Sequence, residues 1–123
     1  MSGSKYLLDT NIIVYALKGL ASVRPYFTIK PFVSILTEIE TLGVKDLREE
    51  EFAIRQTAME FCEIISLTPS VKARAIALKR KVKLAAPDAI IAATAIEEGL
   101  TLVTADKGFK RIKELQLILI EIE

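Results

Sequence analysis

The amino-acid sequence predicts an α/β domain of three layers, α/β/α, in which helices cover both faces of a central, mostly parallel sheet of about five strands. Short apolar runs alternate along the chain with longer segments that have helical periodicity. The runs are apolar at consecutive positions, as expected for strands that are buried on both faces. The 123 residues suffice for one core and are too few for two. We therefore expect a single domain over residues 1–123, with the small, polar residues 1–4 as a tail, either native or left from cloning.

The predicted strands are short apolar runs bounded by polar or turn-forming residues. In chain order they are Tyr6–Leu8, Phe32–Val33, Ser66–Thr68, Leu100–Val103 and Leu117–Ile120. The third run is the least apolar of the five, and we expect it at an edge of the sheet.

Capping residues place the first two helices between these strands. Thr10 or Asn11 is suited to cap the first helix, which should stop at Gly19. Ser34 is suited to cap the second helix, which should end near Gly43. The first part of the chain is thus predicted to be strand, helix, strand, helix.

Three further helices are predicted from the spacing of apolar residues. An acidic segment has the spacing of one helical face at Ile54, Ala58, Phe61 and Ile65. A following helix, opened by Pro69, has its apolar stripe at Val71, Ala75, Leu78 and Val82. Pro87 opens the last helix, which should run from Asp88 to Gly99.

The composition excludes several classes of protein and of site. With 51% hydrophobic and 27% charged residues, the chain is globular rather than disordered. Its single cysteine, Cys62, cannot form an intramolecular disulfide, and the absence of histidine removes the commonest zinc ligand and general base. No segment has the length of a signal sequence or a membrane span, so we expect a cytoplasmic protein without a membrane partner. Any metal site must use oxygen ligands.

Four acidic residues are predicted to meet at one edge of the sheet, because ligands bind beyond the carboxyl ends of parallel strands. Asp9 directly follows the first strand, and Asp106 follows the fourth. Asp88 opens the last helix, and Glu40 lies in the helix after the second strand. Clustered carboxylates repel one another unless a cation enters, and oxygen ligands match Mg²⁺ or Mn²⁺. Such ions support phosphodiester hydrolysis.

Each acid also has a purely structural interpretation. Asp9 suits a turn beside a helix cap, and Glu40 could close a capping box with Thr37. Asp88 is a favourable charge in a first helical turn, and Asp106 suits a D-K-G turn. The four together are harder to explain in this way, because the face that carries Asp88 is otherwise apolar and should be buried.

The order and spacing of these motifs resemble a PIN domain, the metal-dependent ribonuclease fold of VapC-type toxins. The stretch LLDTNIIVYAL resembles the family's opening strand and helix, SILTEIETLG its second motif, and PDAIIAATAIEEGLTLVTADKGF its third and fourth. The resemblance covers nearly the whole chain. It implies that Mg²⁺ or Mn²⁺ is bound by four catalytic acids, with three polar residues that orient them. The acids are Asp9, Glu40, Asp88 and Asp106, and the supporting residues are Asn11, Ser34 and Thr104.

At two positions the resemblance alone does not decide the site: the choice between Glu38 and Glu40, and Gly108. Glu38 and Glu40 project about 200° apart on a helix, so both cannot face the site. The family spacing from Ser34 and Thr37 selects Glu40. Many family members have a further acid two residues after the last one, where this chain has Gly108. The number of metal ions, one or two, therefore stays open.

The resemblance also implies an RNA substrate, a small antitoxin protein as partner, and a homodimer. Basic residues that follow Asp106 closely are expected to steer RNA toward the acids. They are Lys107, Lys110, Arg111 and Lys113. A second basic face, on the helix that begins at Pro69, is interpreted as a solvated helix surface.

Two other kinds of function stay open from the sequence. A haloacid-dehalogenase-like phosphatase would need a second aspartate where Asn11 stands, and a receiver domain would need paired acids that are not found. A non-catalytic PIN relative that binds RNA or protein would have lost acids, whereas four are present here. The endoribonuclease is therefore the preferred interpretation.

Overall fold

The computed structural model describes residues 5–122 and contains a five-stranded sheet with the strand order β3-β2-β1-β4-β5. The strands are β1 (Tyr6–Leu8), β2 (Phe32–Ser34), β3 (Glu63–Ile65), β4 (Thr101–Thr104) and β5 (Leu117–Leu119). Every pairing between neighbouring strands is parallel. The predicted α/β class and its three-layer arrangement are confirmed. The predicted tail at residues 1–4 lies outside the described residues.

Helices connect the strands and cover both faces of the sheet. They are α1 (Thr10–Leu17), α2 (Ile35–Leu42), α3 (Glu49–Phe61), α4 (Pro69–Lys81) and α5 (Ala86–Glu98). Two 3-10 helices, Ala21–Phe27 and Lys107–Arg111, follow α1 and β4. No helix in the described part of the chain is long and apolar enough to cross a membrane.

Successive strand residues face opposite sides of the sheet, which divides the core in two. Leu7 and Leu102 pack into a cluster with residues of α4 and α5. Leu8 and Val103 pack into a second cluster with residues of α1 and α3. All four side chains are fully buried, which explains why the strands are apolar at consecutive positions.

The third strand lies earlier in the chain than predicted. It is Glu63–Ile65, whereas Ser66–Thr68 forms a loop. The backbone N–H of Glu63 donates to the Pro31 carbonyl, and Ile65 pairs with Ser34 of β2. The loop instead supplies the N-cap of α4, because the Thr68 hydroxyl accepts a hydrogen bond from the Val71 N–H.

The predicted apolar face of α3 is wrong at Ile54 and Phe61, although Ala58 does pack against the core. Ile54 is 59% exposed and Phe61 is 48% exposed, whereas Met59 is the residue of this helix that the core buries. Ile65 belongs to β3 and not to the helix. The packing partners of α3 set its orientation, and this leaves three of its large apolar side chains at the surface, Phe52, Ile54 and Phe61.

The carboxyl ends of β1 and β4 form the reversal point of the sheet, where the strand order changes direction. The chain proceeds from β1 to β2 and β3 on one side, and then crosses back to place β4 on the other side of β1. Leu8 and Val103 are partners in register, so the residues that follow these strands are neighbours. A crevice at such a reversal is the usual ligand site of an open parallel sheet.

Candidate functional site

Asp9 occupies the reversal point and is only 7% exposed. Its backbone N–H donates to the Val103 carbonyl over 3.0 Å, which ties the end of β1 to β4. Its Oδ1 accepts a hydrogen bond of 2.8 Å from the Thr10 N–H, so Asp9 is the N-cap of α1. The predicted caps, Thr10 and Asn11, are therefore wrong. The cap lies one residue earlier because β1 ends at Leu8, directly before Asp9.

The hydroxyl of Thr104 connects two of the predicted acids. It donates to Asp9 Oδ2 over 2.6 Å and accepts from the Asp106 N–H over 3.0 Å. Asp106 in turn caps the second 3-10 helix, since its Oδ1 accepts from the Gly108 N–H over 2.8 Å. A single buried hydroxyl thus fixes the carboxylate of Asp9 and the backbone of Asp106 relative to each other.

Asn11 supports the same carboxylate from α1. Its Nδ2 lies 3.4 Å from Asp9 Oδ2 and 3.4 Å from Thr104 Oγ1. Its Oδ1 accepts from the Ala105 N–H over 3.2 Å, which holds the chain after β4 against α1. Asn11 and Thr104 therefore lie where the sequence prediction places supporting residues, against Asp9.

Ser34 contacts the start of α2, whereas Asn11 and Thr104 contact Asp9. It is 1% exposed and is the N-cap of α2, with its hydroxyl accepting from the Leu36 N–H over 3.1 Å. It therefore fixes the start of the helix that carries Glu40, and its hydrogen bond goes to backbone rather than to an acid.

Glu40 is joined to the opening motif through Thr10, a residue that sequence reasoning considered only as a cap. Glu40 Oε1 accepts a hydrogen bond of 2.5 Å from the Thr10 hydroxyl, and the hydroxyl oxygens of Thr10 and Thr37 are 3.1 Å apart. The alternative of a capping box between Thr37 and Glu40 does not hold, because Ser34 caps this helix. The signal available in the sequence was the position of Thr10, directly after Asp9.

The four acids influence one another across the crevice. Burial raises the pKa of Asp9, hydrogen bonds from Thr104 and Thr10 lower it, and the charges of Asp88 and Glu40 raise it again. Burial also raises the pKa of Asp88, as do the charges of Asp106 and Glu40. The structure therefore brings the predicted acids to one region, where burial and the charges of the other acids disfavour the ionised forms of Asp9 and Asp88.

The acids do not form a ready-made metal cage. Within residues 5–122, no group of three acidic side chains is close enough to hold an ion in the arrangement seen. The donor set nevertheless fits a hard divalent cation, because all candidates are carboxylates and a cation would offset the burial and the repulsion that raise the pKa values of Asp9 and Asp88. Metal binding stays a prediction, and it would require the carboxylates to move together.

The basic residues fall into two groups with different surroundings. Lys107, Lys110 and Arg111 are exposed on the 3-10 helix that begins directly after Asp106, and the Arg111 Nε donates to the Gly108 carbonyl over 3.1 Å. On α4, by contrast, several basic side chains have structural partners. Arg74 pairs with Glu97, Lys81 pairs with Glu114, and Lys79 donates to the Leu84 carbonyl. Contacts within the fold thus engage Arg74, Lys79 and Lys81, whereas the prediction for this face was a solvated helix surface.

The family model for the PIN domain matches residues 6–115, which includes all four acids and the whole of the sheet except β5. The chain belongs to the PIN domain family. A comparison with curated protein sequences gave no significant match. The resemblance predicted from the sequence motifs is thus confirmed at the level of the family.

Solved structures similar to this PIN domain come from toxin–antitoxin complexes. A chain of a toxin–antitoxin complex from Klebsiella pneumoniae is 28% identical, with a TM-score of 0.79, and the match covers 93% of this chain and 96% of that one. A chain of VapBC2 from Rickettsia felis, bound to a DNA fragment from the promoter, is 28% identical with a TM-score of 0.78, over 94% and 98% of the two chains. FitAcB from Neisseria gonorrhoeae contains a chain that is 25% identical with a TM-score of 0.75, over 92% and 96%.

Proposed function

We propose that this PIN domain is an endoribonuclease dependent on Mg²⁺ or Mn²⁺, and that it is the toxin of a toxin–antitoxin pair. The single observation that carries the proposal is the state of Asp9. It is a buried carboxylate at the reversal point of the sheet, held by Thr104 and Asn11, with its pKa raised by burial and by other acids. Burial of a carboxylate without a cationic partner is costly, and buried carboxylates with raised pKa values are typical of functional sites.

The residues that would hold the ion are Asp9, Glu40, Asp88 and Asp106. When bound there, the ion would supply positive charge that polarises a phosphate and activates water for hydrolysis. The chain's own contribution is to orient the acids before the substrate arrives. Thr104 and Asn11 fix Asp9, Thr10 holds Glu40, and Ser34 fixes the start of α2. The exposed Lys107 and Lys110 would attract the RNA backbone toward the crevice.

The antitoxin part of the proposal is supported by an apolar surface on the α1 and α3 side. A groove of about 260 Å³ lies between α1 and the first 3-10 helix. It is lined by Ala16, Gly19, Leu20, Val23, Arg24, Phe27 and Thr28. Phe27 stacks on Phe61 with ring centroids 6.5 Å apart, which joins the groove to the exposed apolar side chains of α3. These include Phe52, Ile54 and Phe61.

An exposed apolar groove of this kind suits an amphipathic helix of a partner. The crevice is negative without metal, so the partner could also block it with an arginine or lysine that pairs with the acids. The structures similar to this chain are complexes of toxin with antitoxin, in agreement with such a partner. Homodimer formation stays a prediction.

Cleavage of a mixed RNA pool tests the enzymatic part of the proposal. The wild-type chain should cleave RNA with Mn²⁺ or Mg²⁺ and should stop when EDTA is added. Asp9→Asn, which preserves the shape and removes the charge, should be inactive at the same metal concentration while its circular dichroism spectrum stays unchanged. Absence of cleavage by folded wild-type protein with either metal would instead favour a non-catalytic PIN relative.

Growth of a bacterial host tests the toxin part. Induction of this chain alone should arrest growth, and Asp9→Asn should relieve the arrest at equal soluble expression. If both chains are equally harmless, the toxin role is wrong, and a housekeeping role in RNA processing takes its place for an active enzyme.

A further inference from the structure

Arg111 places a fixed guanidinium beside the acids. It is the last residue of the 3-10 helix that Asp106 caps, and its Nε donates to the Gly108 carbonyl over 3.1 Å. This hydrogen bond turns the side chain back over the start of its own helix, toward Asp106. The neighbouring basic residues, Lys107 and Lys110, have no comparable hydrogen bond among the described residues.

The space above Gly108 is shared by a carboxylate and the guanidinium. A Cβ atom added to Gly108 would lie 3.1 Å from Asp106 Oδ1 and 3.6 Å from Arg111 Nη2. Both groups therefore border the same point, and Asp106 Oδ1 lies close enough to crowd even a single added Cβ there. No positive φ requires glycine here, so the close approach of Asp106 and Arg111 is the feature that distinguishes this position.

The guanidinium has no ion-pair partner within residues 5–122. The ion pairs found there join Arg48 to Glu51, Arg74 to Glu97, and Lys81 to Glu114. Arg111 still acts on the crevice through its charge, which lowers the pKa of Asp88 against the effect of burial. A cation thus stands at the edge of an acidic site without being neutralised in a contact pair, and its Nη groups are left to donate to a ligand.

We propose that Arg111 binds a phosphate of the RNA strand at the acid crevice through its Nη groups. The inference rests on the proposed ribonuclease function and adds a defined phosphate contact to it. An arginine fits this task because its planar fork can bind two oxygens of one phosphate. The Nε hydrogen bond to Gly108 would hold the fork in place before RNA binds.

RNA binding without metal tests the contact separately from catalysis. The assay measures fluorescence anisotropy of a labelled single-stranded RNA oligonucleotide with Asp9→Asn protein in EDTA, over a series of salt concentrations. Adding Arg111→Ala should weaken binding by about tenfold, as expected for a lost charged hydrogen bond. The slope of log affinity against log salt should fall by about 0.7, which is the value for one phosphate contact on a single strand.

Two matched variants separate a defined contact from general charge. Arg80→Ala removes the same charge from an exposed position on α4 and should leave both the affinity and the slope close to the parent values. Arg111→Lys keeps the charge but loses the fork, so the slope should stay while the affinity falls. Thermal unfolding of each variant checks that the fold is retained.

The outcomes distinguish this inference from the proposed function. Equal effects of Arg111→Ala and Arg80→Ala on affinity and slope would overturn the phosphate contact, while metal-dependent cleavage by the wild type would still support a ribonuclease. A wild-type chain that neither cleaves nor binds RNA would overturn both. Wild-type affinity in Arg111→Lys would overturn the role of the planar fork.

Discussion

At the scale of single residues, Asp9 combines two roles that the sequence presented as alternatives. It caps α1 through the Thr10 N–H, and it belongs to the acid crevice through its hydrogen bond with Thr104. A cap alone would be served equally well by serine or asparagine, and neither would place a charge in a buried position. The carboxylate is therefore better explained by the chemistry of the crevice than by the helix.

Ionisation of Asp9 should make the metal-free protein less stable. Burial and the charges of Asp88 and Glu40 raise its pKa above the ordinary value of 3.8 in the folded state. The folded state then binds the proton more tightly than the unfolded state, so stability falls as the pH rises from 3.8 through the raised pKa.

Asp9→Asn should remove this loss. Its free energy of unfolding relative to wild type should increase between acidic and neutral pH, as measured by urea unfolding in EDTA. A variant that becomes relatively less stable at neutral pH would show that the hydrogen bonds from Thr104 and Thr10 outweigh burial.

Thr104→Val should impair the site while nearly preserving its shape. The variant removes the donor to Asp9 Oδ2 and the acceptor of the Asp106 N–H. We expect nuclease activity to fall by about 10- to 100-fold, as for other groups that orient a metal ligand. The free energy of unfolding should fall by about 1–3 kcal/mol, because a buried charged group loses a hydrogen bond.

Thr94→Val is the matched control for this prediction. Thr94 is also a buried threonine, and its hydroxyl donates to the Ile90 carbonyl of its own helix. Its substitution should leave the activity per folded molecule unchanged. Equal losses of activity in the two variants would mean that Thr104 contributes only to packing.

At the scale of elements, α2 shows which side of a helix serves the site. Glu40 is hydrogen-bonded to Thr10, and its charge acts on Asp9 and Asp88. Glu38, two residues earlier, has no hydrogen bond or ion pair among the described residues. The contacts seen therefore agree with the choice of Glu40 over Glu38, although its catalytic role stays a prediction.

Paired glutamine substitutions in α2 test that choice. Glu40→Gln should abolish RNA cleavage, because it removes a predicted metal ligand, whereas Glu38→Gln should keep most of the activity. Initial cleavage rates at equal protein and Mn²⁺ concentrations give the comparison. The reverse order of activities would mean that α2 presents its other side to the substrate.

The same helix contains a stability defect that is independent of function. The Thr41 side chain is fully buried, and its hydroxyl has no hydrogen-bond partner within residues 5–122. Thr41→Val replaces the hydroxyl by a methyl group of similar size and should raise the free energy of unfolding by about 1 kcal/mol, since an unsatisfied buried polar group is removed. Chemical denaturation measures the change, and a loss of stability would mean that the hydroxyl has a partner in solution.

At the scale of the whole molecule, local signals predicted most of the fold. Ser34 as a cap, the buried stripe of α4 and the stop of α5 at Gly99 are written in neighbouring residues, and all three are found. The predicted position of the third strand was wrong because Phe61 and Ile65 also fit the spacing of one helical face, so the helix was extended over residues that form β3. Pairing of Phe32 with Glu63 across the sheet decides where that strand lies, and no local pattern contains this information.

The acids of the candidate site could be predicted from the sequence, but the hydrogen bonds that join its side chains could not. Parallel topology brings strand ends together, so the meeting of Asp9 with Asp106 and its neighbours followed from the predicted sheet. The hydrogen bond from Thr10 to Glu40 and the position of Arg111 depend on side-chain orientations between distant elements. Those orientations are set by tertiary packing and cannot be read from spacing in one chain.

The location of Mn²⁺ in a crystal tests the central claim most directly, which is that the acids at the strand ends exist to bind a divalent ion. Crystals soaked in Mn²⁺ should show an anomalous diffraction peak among Asp9, Glu40, Asp88 and Asp106. The same soak of Asp9→Asn crystals should show no peak or a much weaker one. A wild-type map without a peak between these carboxylates at saturating Mn²⁺, or an equal peak in Asp9→Asn, would contradict the account.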